Sequence, residues 1–427
     1  LAGQSLFDQN TNSFVVANTL SYPWKGMINI PESFDGFSVL NEEGEPVSIQ
    51  RTKDDLVAIV ELAPLSFTTF SKGEPDELNF EQGHGLTLEN DLIRYEFDKK
   101  GQVISAFDKE AKKEVLGNAG NILSLYVDRP NDWDAWDVDF FYRDALLEIA
   151  ESTDTMPGST GNVVKELQLS FTIGQSTIKQ NVSLFPHSKR LDFDTHVNWK
   201  EKHKMLRVHF PVNVKSEQAS FDIQYGHVKR NTHRNTSWDK AKFEVVGHKY
   251  ADLSDHDYGV ALMNDCKYGY MIHDNILDLN LLRSPNNPDP TADEGHHQFT
   301  YSLLPHKYDL IRSDVMKESN CLNQKPLLFN GVQSNKNIPL QLEGNGLELI
   351  VLKKAEKDDY LIIRILETNG RQSSGKLSLT GTLIECDLME WNDLGSEIKV
   401  ESCLELSLSP FEIRTFKYLN SISTVTM

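Results

Sequence analysis

The chain has 427 residues, too many for one ordinary hydrophobic core, so two or three domains are expected. Its 43 Lys plus Arg against 63 Asp plus Glu leave a formal charge of −20, which argues against a nucleic-acid backbone as partner and leaves a neutral polyol compatible. No apolar run approaches the roughly 20 residues of a membrane span, and Cys266, Cys321, Cys386 and Cys403 are scattered without metal or redox spacing, as suits a reducing, cytoplasmic setting.

Leu1 stands where an initiator Met would, and residues 1–13 are mostly polar with no basic, then apolar, leader, so the chain reads as beginning inside a longer protein. Period-2 alternation then dominates and sustained helical spacing is nearly absent, which predicts sheets. Short strands are expected at 13–20, 26–30 and 56–62, closing a small β-domain over 1–78 that ends in the hydrophilic linker 71–77. Ile93, Tyr95 and Phe97 alternate with charged neighbours, and the turn at 98–101 leads into Val103, Ser105 and Phe107, a hairpin pattern. Longer strands follow through Leu167–Ile173, Leu191, Phe193, Thr195 and Val197, then Leu206, Val208, Phe210, Val212 and Val214. Strands of this length need a second sheet over their apolar face, so 79–326 reads as one large β-sandwich joined by a linker at 307–326. Residues 327–427 alternate at Leu404, Leu406 and Leu408 and close on Pro410-Phe-Glu-Ile-Arg-Thr-Phe416, a second small sandwich, with a polar tail after Tyr418 that dangles.

Two segments break the strand pattern with Trp, Asp, Pro and His where a bland loop carries Gly, Ser and Asn. In the first, Trp133, Asp134, Trp136 and Asp137 offer rings that stack on the C–H faces of a sugar and carboxylates that accept from its hydroxyls. The alternative is that the rings plug the sandwich mouth and the Asp residues cap turns. In the second, prolines at 285, 288 and 290 stiffen a loop that follows Arg283 and carries Asp289 and Asp293. Arg283 is either a fixed donor to sugar oxygens or half of a loop-pinning ion pair with Asp289, Asp293 or Glu294.

A third stretch, 224–239, holds His227 and His233 amid basic residues, but no ligand spacing accompanies them or Asp255-His256-Asp257, and local hydrogen bonding accounts for them better than metal. No Gly-x-Ser-x-Gly elbow is present, and Asp134 with Asp137 does not read as a glycosidase carboxylate pair. The sequons at Asn181 and Asn235 carry little weight without a leader.

The order and spacing of several motifs resemble the C-terminal half of glycoside hydrolase family 38 α-mannosidases, in their cytosolic and bacterial branch. They are Gly120-Asn-Ile-Leu-Ser-Leu-Tyr-Val-Asp-Arg-Pro130 with Trp133-Asp-Ala-Trp-Asp137, Gln224-Tyr-Gly-His227, Arg230-Asn-Thr-His-Arg-Asn-Thr-Ser-Trp-Asp239, Leu281-Leu-Arg-Ser-Pro285, Pro288-Asp-Pro-Thr-Ala-Asp293 and Pro410-Phe-Glu-Ile-Arg-Thr415. The resemblance implies an all-β architecture in which a large galactose-mutarotase-like β-sandwich (a supersandwich) is flanked by two small β-domains. It implies retaining hydrolysis of α-mannosides by a parent enzyme whose Asp nucleophile and zinc (or cobalt) ion lie in an N-terminal domain without counterpart here. On that basis the chain is expected to hold no catalytic or metal residue, to be inert alone, and to place Trp133, Asp134, Trp136, Asp137, Arg283, Asp289 and Asp293 on the rim of the sugar site. Its expected partners are an α-mannoside or mannose oligosaccharide and its own N-terminal catalytic domain, with no nucleic acid and no membrane; a homo-oligomer is compatible. The alternative is a stand-alone, lectin-like mannoside-binding module.

Overall fold

Alternation sets the architecture because a slip of one residue would turn each strand's apolar set to water. In the computed structural model, which describes residues 7–8, 12–333 and 340–420, nine antiparallel strands make the larger sheet. Their order is Ser152–Pro157, Lys165–Ile173, Ser176–Leu184, Leu191–Trp199, Gly295–Lys307, Tyr258–Asn264, Tyr250–Ser254, Gln218–Ile223 and Gly226–Asn231. Six strands make a second sheet, in the order Leu146–Ile149, Ile122–Val127, Lys204–Pro211, Ile276–Arg283, Gly269–His273 and Val245–Val246. Leu123, Leu125, Val208 and Leu279 of the six-stranded sheet share one buried cluster with Leu167, Phe171, Phe193 and Val197 of the nine-stranded sheet, so the two sheets enclose a single core. Inside it the Phe193 and Tyr301 rings stack at 4.9 Å. The Tyr301 hydroxyl, fully buried, donates to Asn121 Oδ1 at 2.5 Å and accepts from Gln180 Nε2 at 2.6 Å, which satisfies polar groups that burial would otherwise penalise.

The hairpin over 93–108 forms with an inward set different from the simple alternation. A β-bulge between Val103 and Ser105 shifts the register, so Val103, Ala106 and Asp108 are buried while Ser105 and Phe107 are only half-buried. Segment 307–326, expected as a linker, folds into a 3-10 turn at Leu310–Arg312 and a helix at Val315–Asn323 whose Val315 and Leu322 pack with Tyr250 and Met263.

Two small sheets near the N-terminus share a core of Phe14, Phe34, Leu62 and Phe70, and two more near the C-terminus share Ile363, Ile365, Leu377, Leu408 and Phe416. Strand Leu327–Asn330 pairs with Ser13–Asn18, so the chain returns to the first small unit before strand Gln341–Glu343 starts the last one. Strand Ile413–Asn420 continues two residues past Tyr418; the rest of the tail, 421–427, and most of the polar opening run lie outside the described residues. Among the described residues no helix is long and apolar enough to cross a membrane, and the four cysteines are unpaired.

Candidate functional site

Register at one end of the six-stranded sheet gathers the two singled-out loops. Val127 pairs with Lys204 and Met205 with Arg283, so strands Ile122–Val127 and Ile276–Arg283 end on either side of the residue that begins Lys204–Pro211. The loops after Val127 and Arg283 therefore leave the same edge, with His203 between them. The His203 backbone N–H donates to the Ser284 carbonyl at 2.8 Å, and its carbonyl accepts from the Asp128 N–H at 2.8 Å.

Arg283 ends its strand with the guanidinium turned onto the first loop. Its Nε donates to Asp128 Oδ2 and its Nη2 lies 3.4 Å from Asp128 Oδ1. Nη2 also reaches the Asp134 carbonyl at 3.0 Å and the Asp137 carbonyl, and Nη1 reaches the Ala135 carbonyl at 3.3 Å. Of the two sequence readings, the loop-pinning ion pair is the one this geometry carries, and its partner is Asp128 rather than Asp289, Asp293 or Glu294. Asp128 is 1% exposed. Burial pushes its carboxyl up from the ordinary value, against the pull of Arg283.

Asp134 fastens the opposite side. Its Oδ2 accepts from the backbone N–H groups of Asn286 at 2.7 Å and Asn287 at 3.0 Å, and its Oδ1 lies 3.4 Å from His203 Nδ1. Burial opposes the Asp134 charge, yet the two amides, with His203 and Arg283, hold its carboxyl below the ordinary range. Within the loop, Trp136 and Asp137 N–H donate to the Trp133 carbonyl at 2.7 and 2.9 Å, a tight turn that puts Trp133 at φ 58°. Trp133 and Trp136 are each 72% exposed. The expectation that these rings plug the sandwich mouth therefore fails, because both rings face water on a turn closed by backbone N–H groups on the Trp133 carbonyl.

Trp133, Asp134, Trp136, Asp137 and Arg283 thus come together. Asp289 and Asp293 do not join them. Asp289 Oδ1 accepts from Thr291 N and Oγ1, both at 2.9 Å, and these bonds hold its carboxyl below the ordinary value. Asp293 sits at φ 58° and offers its carbonyl to His297 Nε2 at 2.7 Å. Both shape the 285–295 loop without a hydrogen bond to the other five among the described residues. Sequence reasoning missed Asp128 and His203; the available signal for Asp128 was a carboxylate directly following the apolar run Leu125-Tyr-Val127.

At the start of the 224–239 stretch, Gly226 and His227 serve packing. Gly226 opens the second strand of a hairpin, and Phe411 of the closing motif sets its ring between Gly226 and Gly370 and 5.3 Å from His227, edge-on; a Cβ at either glycine would meet that ring within 3 Å. Behind the rim, fully buried Arg207 donates to Asp278 at 2.6 Å and pairs with Glu244 at 3.1 Å, while Tyr142 donates to Glu244 at 2.6 Å. No group of three or more His, Cys, Asp or Glu among the described residues could hold a metal ion. Two clefts, of about 880 and 600 Å³, lie at unit junctions and are not lined by rim residues.

Two family descriptions match this sequence: glycosyl hydrolases family 38 C-terminal domain over residues 88–291, and glycosyl hydrolases family 38 C-terminal beta sandwich domain over residues 346–416. Alpha-mannosidase G of Dictyostelium discoideum is 36% identical over 357 residues, covering 79% of this chain and 33% of that protein. Alpha-mannosidase 2C1 of Homo sapiens is 35% identical over 368 residues, covering 82% and 35%. The chain therefore spans about a third of the length of these relatives. A crystal structure of an alpha-mannosidase from Enterococcus faecalis V583 superposes with a TM-score of 0.76 at 16% identity, covering 97% of this chain and 57% of that one, a likeness of fold.

Proposed function

Because the chain belongs to glycosyl hydrolases family 38, as its C-terminal β region, we propose that it completes the rim of the mannoside site of a retaining α-mannosidase. The observation that carries this reading is the pair of exposed rings, Trp133 and Trp136, on a loop fixed from both sides by Arg283 and Asp134. Two exposed rings on one fixed turn form a local apolar surface, and a pyranose offers such rings a C–H face. Asp137, exposed beside them, accepts from sugar hydroxyls; Asp134 and Arg283 hold the platform, and Asp289 and Asp293 extend it along the second loop.

The chemical step belongs to a partner, an N-terminal catalytic domain of the parent protein. The zinc (or cobalt) ion that the family resemblance implies finds no fitting donor set here, since among the described residues no three candidate ligands converge, and no step in this reading runs through it. The chain alone is inactive, in the cytoplasm, with unpaired thiols that suit a reducing compartment. The likeness of the large sandwich to galactose mutarotase is part of the same reading.

A second reading is a self-sufficient mannoside-binding module, since Arg283, Asp128 and Asp134 already fix the Trp loop from within the large sandwich. Calorimetric titration with α-mannobiose separates the two. The rim reading expects a Kd weaker than about 1 mM for the isolated chain, lost in Trp133→Ala with Trp136→Ala; a Kd tighter than about 1 mM favours the module. Heat that is unchanged in the double variant sinks both.

A further inference from the structure

We propose that Asp128 is the positioning residue of the rim: it acts through Arg283 to pre-form the Trp133–Trp136 platform for a pyranoside presented face-on. This deepens the rim reading and rests on it. Asp128 is 1% exposed and lies beyond reach of any ligand, so whatever it contributes passes through another group. That group is Arg283, whose fork is oriented by the Asp128 carboxylate and then spans three carbonyls of one turn, those of Asp134, Ala135 and Asp137. A guanidinium suits this task because its planar donors reach two directions at once, one edge toward a carboxylate and the other toward carbonyls.

The carbonyls that Arg283 gathers flank Trp136, and the turn they belong to is closed by Trp136 N–H and Asp137 N–H on the Trp133 carbonyl. Without the strap, a loop whose two largest side chains face water has few apolar contacts to order it, and its ordering entropy falls due on binding. A loop held in the bound conformation beforehand avoids that loss. The second anchor, Asp134 on Asn286 and Asn287 N–H, ties the platform to the loop that carries Asp289 and Asp293, so both singled-out loops move as one body.

The test uses two substitutions in the full chain, Asp128→Asn and Arg283→Lys. The first keeps shape and removes the charge that orients the fork; the second keeps the charge beside Asp128 and loses the reach to the three carbonyls. Hydrogen exchange at the amides of Trp136, Asp137, Asn286 and Asn287 reads the order of the loops, α-mannobiose calorimetry reads binding, and the unfolding midpoint reads the fold. The expected result is exchange faster by about 10-fold or more at Trp136 and Asp137 in both variants, affinity weaker by about 10-fold, and a midpoint close to that of the parent chain. Unchanged exchange in either variant overturns the proposal, as does faster exchange spread evenly over the sandwich, which would mark Asp128 as a general core group. Faster loop exchange in a chain that shows no mannoside heat supports the strap and overturns the rim reading instead.

Discussion

Glu367→Gln should loosen the C-terminal unit by about 3 kcal/mol, a loss that can be worked from its contacts. The Glu367 carboxylate is 0% exposed and accepts five hydrogen bonds. Oε1 takes Asn369 N–H at 3.0 Å and the Ser373 hydroxyl at 2.9 Å; Oε2 takes the N–H groups of Gly370 at 2.8 Å, Arg371 at 3.3 Å and Phe411 at 3.0 Å. A glutamine can keep its oxygen toward only one of these sets. With the oxygen facing Gly370, Arg371 and Phe411, its NH₂ confronts the Asn369 N–H, and one buried donor loses its acceptor at a cost of about 1–3 kcal/mol. The remaining bonds lose their charge assistance, which adds about 1–2 kcal/mol. Urea unfolding measures the loss, and hydrogen exchange at Phe411 locates it. A loss under about 1 kcal/mol with Phe411 N–H still protected would refute the reasoning.

Three further outcomes are expected. Burial first, then Lys25 and Arg190, depress the His187 pKa to about 4, so the folded chain keeps it neutral while the unfolded chain protonates it below about 6.5. Its contribution is therefore complete above pH 6.5 and declines as pH falls toward 4; His209, His227 and His273 are depressed too, so the check is the difference between the parent chain and His187→Leu, which should have the shallower slope. Burial raises the Glu348 carboxyl, against Lys249 and Tyr22, and Asn320 Nδ2 donates to it at 2.9 Å. A raised acid contributes stability that is present at low pH and lost as pH rises, so Glu348→Gln, which keeps an acceptor for Asn320, should raise the thermal midpoint at pH 7 and leave it unchanged near pH 4. Phe411→Ala should cost about 1–3 kcal/mol, less than a fully buried Phe because the ring is 39% exposed, and should speed amide exchange at Gly226 and His227.

Much of the fold was legible because alternation leaves few choices: Leu191–Trp199, Lys204–Pro211 and Cys403–Leu408 all lie where their apolar residues repeat at two. The bulge near Val103 was not, since an extra residue leaves composition unchanged and shows only in pairing. Helix Val315–Asn323 was hidden by its polar residues, with just Val315, Ser319 and Leu322 turned inward. At the candidate site, unusual residue types betrayed the loops, and chemistry limited Arg283 to two roles. Choosing between them required knowing that Met205 pairs with Arg283 and Lys204 with Val127, a relation between strands more than 70 residues apart that no local pattern encodes.

The return of Leu327–Asn330 to strand Ser13–Asn18 bears on how the chain is made. On a ribosome, Ser13–Asn18 meets its neighbour Ser66–Pro75 early, but its other edge stays open until the whole sandwich has been synthesised. At roughly 5–20 residues per second, that wait lasts tens of seconds. During it Phe14, Val15 and Val16 present an apolar strand with an unpaired edge, the kind of surface that recruits chaperones or neighbouring nascent chains. Synthesis yield should therefore depend on that one strand more than its length would imply.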